Sequence, residues 1–230
     1  MDRDILSRLN SMREARRAAV LVTDLGSGEQ QLLAEGEPVE AGLAAALSSA
    51  FQSGKSAKLD MEGRSLFLNV HLPPVRIVVI GAVRIADALA PMAALCGFDL
   101  SIIEPREGFA QPGRFEEGRL VVGSPTDRLA VDPYTAVVAV AHLPELDDAA
   151  IAAGLRGGSF YVGALGSRRN HSARLERLRA KGFGEVELAR IHAPIGLDIG
   201  ASNPAEIAVA ILAEIIQSLR RRPLDPAEGI

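Results

Sequence analysis

Cysteine is nearly absent from this chain. Cys96 stands alone among 230 residues, so no internal disulfide can form, and a metal centre held by several thiolates is excluded. Tryptophan is missing and aromatic residues supply only 4% of the sequence. A core must therefore be built from the Ala, Val, Ile and Leu that dominate a hydrophobic content of 48%. Aliphatic residues of that kind suit strands covered on both faces by helices. Neither sign of charge prevails: 25 Lys and Arg against 29 Asp and Glu leave a net −4. That balance gives no general attraction to nucleic acid or an anionic membrane, so any anion site must be local. No apolar run approaches the ~18–20 residues of a membrane span, and the opening MDRDILSRLNSMREARRAA lacks the apolar segment of a secretory signal. These absences predict a soluble protein of the reducing cytoplasm.

The sequence pattern changes along the chain. Residues 2–17 read as a helix and AAVLVTDLGSGEQQLLAEGE as two strands around a Gly26–Gly28 turn. A helix ending near Gly54 follows, then a hairpin turning at Glu62–Gly63. Residues 1–72 are thus expected to form a small α+β domain, with Pro73–Pro74 as linker. From Val75 to residue 230, continuous apolar strands such as RIVVIG and TAVVAVAH alternate with helices. The expectation is an α/β fold: a Rossmann-like, doubly wound, mostly parallel sheet in an αβα sandwich. Its last helix has Asn203 as cap, Pro204 in the first turn and Glu206 at the reciprocal capping position.

Three segments carry chemistry. In VVIGAVRIADAL, Gly81 ends a strand before a helix, and Glu104 follows roughly twenty residues later, where an acid grips a ribose in dinucleotide sites. Val83 stands where a second glycine would let the backbone approach a pyrophosphate, and Ala86 holds the third position. Arg84 adds a formal charge to the partial charge of the helix end. A modified nucleotide site and a turn kept for the fold alone both stay open. In YVGALGSRRNHSARLERL, Gly163 ends a strand, and Gly166 and Ser167 open a helix bearing Arg168, Arg169, Arg174 and Arg177. Arginines at a helix start oppose its dipole, which argues for an anionic partner, phosphate being the natural one. The alternative is a Ser-capped helix whose arginines face water. In IHAPIGLDIGASNPAEIA, His192 is the side chain best able to exchange a proton, with Asp198 to orient it and Gly196 between them. A hydrogen-bonded structural His192 is the alternative. Of the rest, Asp147 reads as a helix cap beside His142, and Cys96 as a small buried hydrophobe within an apolar helix. No metal site is signalled.

Taken in order, IVVIGAVRIADALAPMAALCGFDLSIIEPRE, YVGALGSRRNHSARLERL and IHAPIGLDIGASNPAEIAVAILAEII resemble the C-terminal Rossmann domain of the XdhC/CoxI family, the xanthine dehydrogenase accessory proteins. The likeness covers roughly residues 75–220, and AHLPELDDAAI fits it too, with Ala141 where threonine is usual. The Gly–Ser–Ser–Pro and Ser–Gly–Gly–Cys segments of that family are missing, which marks a divergent member with a shortened N-terminal domain. The resemblance implies a non-catalytic chaperone that binds molybdenum cofactor and assists its sulfuration or insertion into an apo molybdenum hydroxylase of the xanthine or carbon monoxide dehydrogenase type. A sulfurase as second partner and a homodimer are further implications. On this model Gly166, Ser167, Arg168 and Arg169 hold phosphate, while His192, Gly196 and Asp198 line the pterin side of one cleft. Two other functions stay open. One is an NAD(P)-dependent oxidoreductase, weakened by Val83, with Glu104 on ribose and His192 as acid–base. The other is a scaffold protein without ligand, favoured if Arg168 and Arg169 pair with internal carboxylates.

Overall fold

The computed structural model describes residues 2–111 and 113–221. Their contacts separate two compact units, one formed by residues 2–73 with 220 and 221, the other by Pro74–Leu219.

In the first unit, α1 (Arg3–Glu14) precedes a hairpin of β1 (Ala19–Asp24) and β2 (Gln30–Ala34). Helix α2 (Ala41–Ser53) leads to a second hairpin, β3 (Ala57–Met61) and β4 (Arg64–His71). All pairings are antiparallel, in the order β2-β1-β4-β3. Leu9 and Met12 of α1 pack on Ala19, Leu21, Leu32 and Ala34, which the alternation of β1 and β2 turns to one face. The second hairpin turns at Glu62 (φ 51°) and Gly63 (φ 76°), the two left-handed residues that a tight turn needs to match strand twist. Asp24 secures the first turn by accepting from the Gly26 and Ser27 N–H groups and from Arg64 Nε. The Arg64 bond above all, then those backbone bonds, draws its carboxyl down to about 2.

The second unit runs β5 (Arg76–Ile80), α3 (Arg84–Leu95), β6 (Asp99–Glu104), β7 (Leu120–Val122) and α4 (Pro125–Arg128). It continues through β8 (Thr135–Ala139), α5 (Pro144–Arg156), β9 (Tyr161–Ala164), α6 (Arg168–Ala180), α7 (Glu185–Leu188), β10 (Ile191–His192) and α8 (Pro204–Arg221). Six strands, all parallel, lie in the order β10-β9-β8-β5-β6-β7. The winding therefore reverses between β5 and β8, the arrangement of the expected doubly wound fold. Alternation decides which helices cover which face. Ile77, Val79, Ala136, Val138 and Tyr161 meet Leu89 of α3 and Ala208, Ile211 and Ile215 of α8. Their neighbours Val78, Val137 and Val162 point the other way, toward a layer that includes Ala150, Leu155 and Leu178 of α5 and α6. Asn203 caps α8 through the Ala205 and Glu206 N–H groups, while Glu206 reaches back to accept from the Ser202 N–H. Cys96 departs from its expected burial: it follows the last residue of α3 and is exposed. Among the described residues no helix is long and apolar enough to cross a membrane.

The exits of β5 and β8 nearly touch. Gly81 has φ 110°, and a Cβ there would lie 2.7 Å from Ala141 Cα and 3.0 Å from Ala141 N. Both neighbours are backbone, so neither can swing aside. Gly81→Ala should therefore lower stability by about 2–4 kcal/mol, combining backbone strain with overpacking. Urea unfolding measures this, and a loss below about 0.5 kcal/mol, the usual range for a featureless site, would mean the two exits can part freely.

Candidate functional site

At the first turn, the chain leaves β5 through Gly81 and Ala82 and enters α3 with Val83 as a cap residue lacking a side-chain bond. The Ala82 N–H donates to Glu104 Oε2 at 2.9 Å. Glu104 is fully buried. It also accepts from Arg106 N (3.0 Å), Arg106 Nε (2.7 Å) and Arg106 Nη2 (2.7 Å). Burial pushes this carboxyl up, but the bonds from Arg106 and Ala82 outweigh burial and hold it below the ordinary range. Both oxygens are thus engaged inside the protein, and the ribose contact expected of Glu104 has no acceptor left to make it. Arg114 closes the turn further. It donates to Ala82 O at 2.6 Å and grips Asp87, in the first turn of α3, through two bonds of 2.8 and 2.6 Å. Arg84 is exposed, and its guanidinium makes no bond among the described residues. The place where a pyrophosphate would lie is bordered by the protein's own carboxylate and guanidinium pairs.

The second turn differs. Gly163 is a packing glycine: a Cβ there would sit 2.6 Å from both Ile195 Cδ1 and Tyr161 OH. Gly166 (φ 139°) then swings the chain outward, and Ser167 Oγ accepts the Asn170 N–H at 3.3 Å to cap α6. Arg168 and Arg169 are exposed, and neither guanidinium makes a hydrogen bond or ion pair among the described residues. The pairing to internal carboxylates that would favour the scaffold reading is absent among the described residues. Arg174 and Arg177, roughly two turns or more further along α6, turn toward internal carboxylates instead. Arg177 holds Asp148 through bonds of 2.5 and 3.2 Å, and Arg174 Nε lies 3.6 Å from the same carboxylate. Asp147 does not cap α5 as expected. It is buried within the helix's first turns, and its Oδ1 accepts the Ala141 N–H at 3.0 Å. Burial pushes its carboxyl up despite that bond and the nearby charge of Arg174.

The third segment forms its own cluster. His192 Nδ1 lies 3.1 Å from Glu214 Oε1, and the Tyr161 hydroxyl donates to Glu214 Oε2 at 2.6 Å. The Gly196 N–H donates to the same oxygen at 2.7 Å, and the rings of Tyr161 and His192 stack with centroids 4.6 Å apart. The partner that orients His192 is thus Glu214 of α8. Asp198 is exposed and makes no bond to it. Burial pushes the Glu214 carboxyl up, but the bonds from His192, Tyr161 and Gly196 prevail and hold it below the ordinary value. Glu214 thus holds the His192 ring by its Nδ1 edge. Tyr161 and Glu214 sit on the α8 side of the sheet, whereas α6 packs on the other. His192 and Gly196 therefore do not face Arg168 and Arg169 across one cleft. Sequence reasoning missed Glu214, although a carboxylate beside Ile211 and Ile215 of a buried stripe was a readable signal.

These features define a Rossmann-type domain whose dinucleotide turn is closed by internal ion pairs and whose second turn keeps free charge. The chain belongs to the family of the XdhC Rossmann domain, whose model matches residues 77–215. Among curated proteins it is 34% identical over 170 residues to the uncharacterised protein YqeB of Escherichia coli K12, covering 69% of this chain and 30% of YqeB. It is 30% identical over 145 residues to the molybdenum cofactor insertion chaperone PaoD of the same organism, covering 62% of this chain and 40% of PaoD. A probable xanthine dehydrogenase subunit from Bacillus subtilis is 30% identical over 161 residues, 68% of this chain and 47% of that protein. The chain thus spans less than half the length of each. A crystal structure described as a xanthine dehydrogenase from Bacillus halodurans superposes with a TM-score of 0.64, covering 99% of this chain and 66% of that one. At 21% identity it shows a shared fold.

Glu214 yields a test with a defined sign. Because its folded pKa is depressed, its contribution is complete above the ordinary glutamate value of 4.5 and is lost as pH falls through the lower folded value. Glu214→Ala should cost about 2–4 kcal/mol at neutral pH, since the Tyr161 hydroxyl and the Gly196 N–H lose their acceptor. The deficit relative to the parent should shrink as pH falls below about 4.5 in urea unfolding; a deficit constant with pH would show that the charge of Glu214 is immaterial.

Proposed function

We propose that this protein is an accessory factor in the maturation of a molybdenum hydroxylase of the xanthine or carbon monoxide dehydrogenase type. It binds molybdenum cofactor as cargo in the cytoplasm and assists its sulfuration or its insertion into the apo-enzyme, its partner. The family match and the insertion-chaperone role of its relative PaoD support this reading. The observation that carries it is the free guanidinium pair of Arg168 and Arg169 on the capped start of α6. Molybdopterin bears a phosphate, and Gly166, Ser167, Arg168 and Arg169 combine helix-end N–H groups, a hydroxyl and two unneutralised cations to meet it. With the ribose acceptor and the first helix start enclosed by Arg106 and Arg114, NAD(P) has no comparable place to bind.

An anaerobic titration of the purified protein with molybdenum cofactor, with NAD and NADP as competitors, tests the proposal. Saturable binding that neither dinucleotide displaces is expected. Replacing both residues, Arg168→Ala with Arg169→Ala, should weaken affinity at least about tenfold while circular dichroism stays unchanged, since each charged hydrogen bond contributes about 1.5–3 kcal/mol. Unaltered affinity in that variant would remove the arginines from the site, and absence of cofactor binding in the parent would end the reading.

A further inference from the structure

Between the N-terminal ends of α5 and α6 lies a pocket of about 210 Å³, bordered by His142, Pro144, Asp147, Gly166, Asn170 and Arg174. Each helix is 13 residues long, so each directs the positive end of its dipole and unbonded N–H groups toward this end of the sheet.

Arg174 is the residue that needs explaining. It is only 5% exposed, although it carries a full charge. Its Nη2 donates to Leu165 O at 3.0 Å. Its Nε stands 3.6 Å from Asp148 Oδ1, beyond hydrogen-bond range, and Asp148 is already gripped by Arg177. Among the described residues, neither Nε nor Nη1 of Arg174 has any hydrogen-bond partner. Withdrawing the Nη1 donors from water with nothing in exchange is costly, whereas Nε keeps the Asp148 charge nearby. An arginine kept there unsatisfied is explained by an acceptor that arrives from outside.

The pocket itself narrows the class of that acceptor. Its volume is below the roughly 300–1,000 Å³ that hold a whole small molecule, so it admits a group rather than an entire ligand. Two helix starts and a buried guanidinium favour an anion, and the Asp147 oxygen on the Ala141 N–H is already occupied. Arg174 offers Nη1 as a charged donor without a partner among the described residues, the kind of group that phosphate oxygens accept from.

We propose that this pocket is a binding site for the phosphate group of a phosphate monoester, held by Nη1 of Arg174 and by the N–H groups that open α6. Asn170 stands at its rim, and the exposed Arg168 and Arg169 belong to the same helix start and add their charge to it. Identifying this phosphate with the tail of molybdenum cofactor rests on the function proposed above; the phosphate site itself does not.

Thermal unfolding of the full chain tests it, in inorganic phosphate and in methyl phosphate, against chloride at equal ionic strength. At about tenfold excess over the dissociation constant, both phosphates should raise the midpoint by about 3–6 °C. Arg174→Met keeps the bulk and removes the donors; its midpoint in chloride should fall, because Leu165 O and the Asp148 carboxylate lose a partner, and phosphate should no longer raise it. Should that variant not fold, Asn170→Asp at the exposed rim sets a negative charge against the incoming group and should reduce the rise severalfold. No specific rise in the parent, or a full rise in both variants, overturns the site. A response to inorganic phosphate but not to methyl phosphate overturns the monoester assignment. A parent that responds to both phosphates yet ignores molybdenum cofactor leaves the pocket standing and removes the maturation role.

Discussion

Where a parallel strand ends, the backbone N–H groups beyond it lose the ladder, and much of this domain depends on how buried carboxylates take them up. Glu104 accepts from Ala82 beyond β5, Asp147 from Ala141 beyond β8, and Glu214 from Gly196 beyond β10. Glu104 and Asp147 are withdrawn from water and Glu214 partly so, and each must be compensated. Arg106 closes on Glu104, Tyr161 and His192 on Glu214, and the charge of Arg174 lies near Asp147. The turns at the strand exits are thus positioned by charge-assisted bonds, which are roughly twice as strong as neutral ones.

That solution decides what each turn can do. The first turn is complete without a ligand. Gly81 and Ala141 leave no gap, Glu104 has no free oxygen, and Arg114 lies across the helix start. The second turn is left incomplete, since Arg168 and Arg169 project without counter-charge from a helix end that is itself positive. One fold therefore carries two strand–glycine–helix turns of opposite character, and the one with unpaired arginines is not the one that dinucleotide enzymes use.

Much of this could be read from the residues. The order of strands and helices follows from aliphatic runs alternating with amphipathic segments, and the Glu62–Gly63 turn and the Asn203 and Ser167 caps follow from local chemistry. Long-range partnerships could not be read. Arg106 and Arg114 are two among many arginines until the fold sets them against Glu104 and Ala82. Glu214 meets His192 only because α8 returns across the sheet beside β9. Cys96 looked buried because its neighbours are apolar, but a helix end offers no such protection.

The sequence by itself determined the class of fold, the place of each turn and which helix would begin with unopposed arginines, because those depend on periodicity, capping and steric freedom within a few residues. Only the tertiary structure decided which carboxylates are engaged, which guanidiniums stay free and on which face of the sheet each polar cluster lies. Those outcomes depend on burial and on partners distant in the chain: Glu104 and Asp198 are alike as acids in a sequence, yet one is enclosed by four hydrogen bonds and the other stands in water.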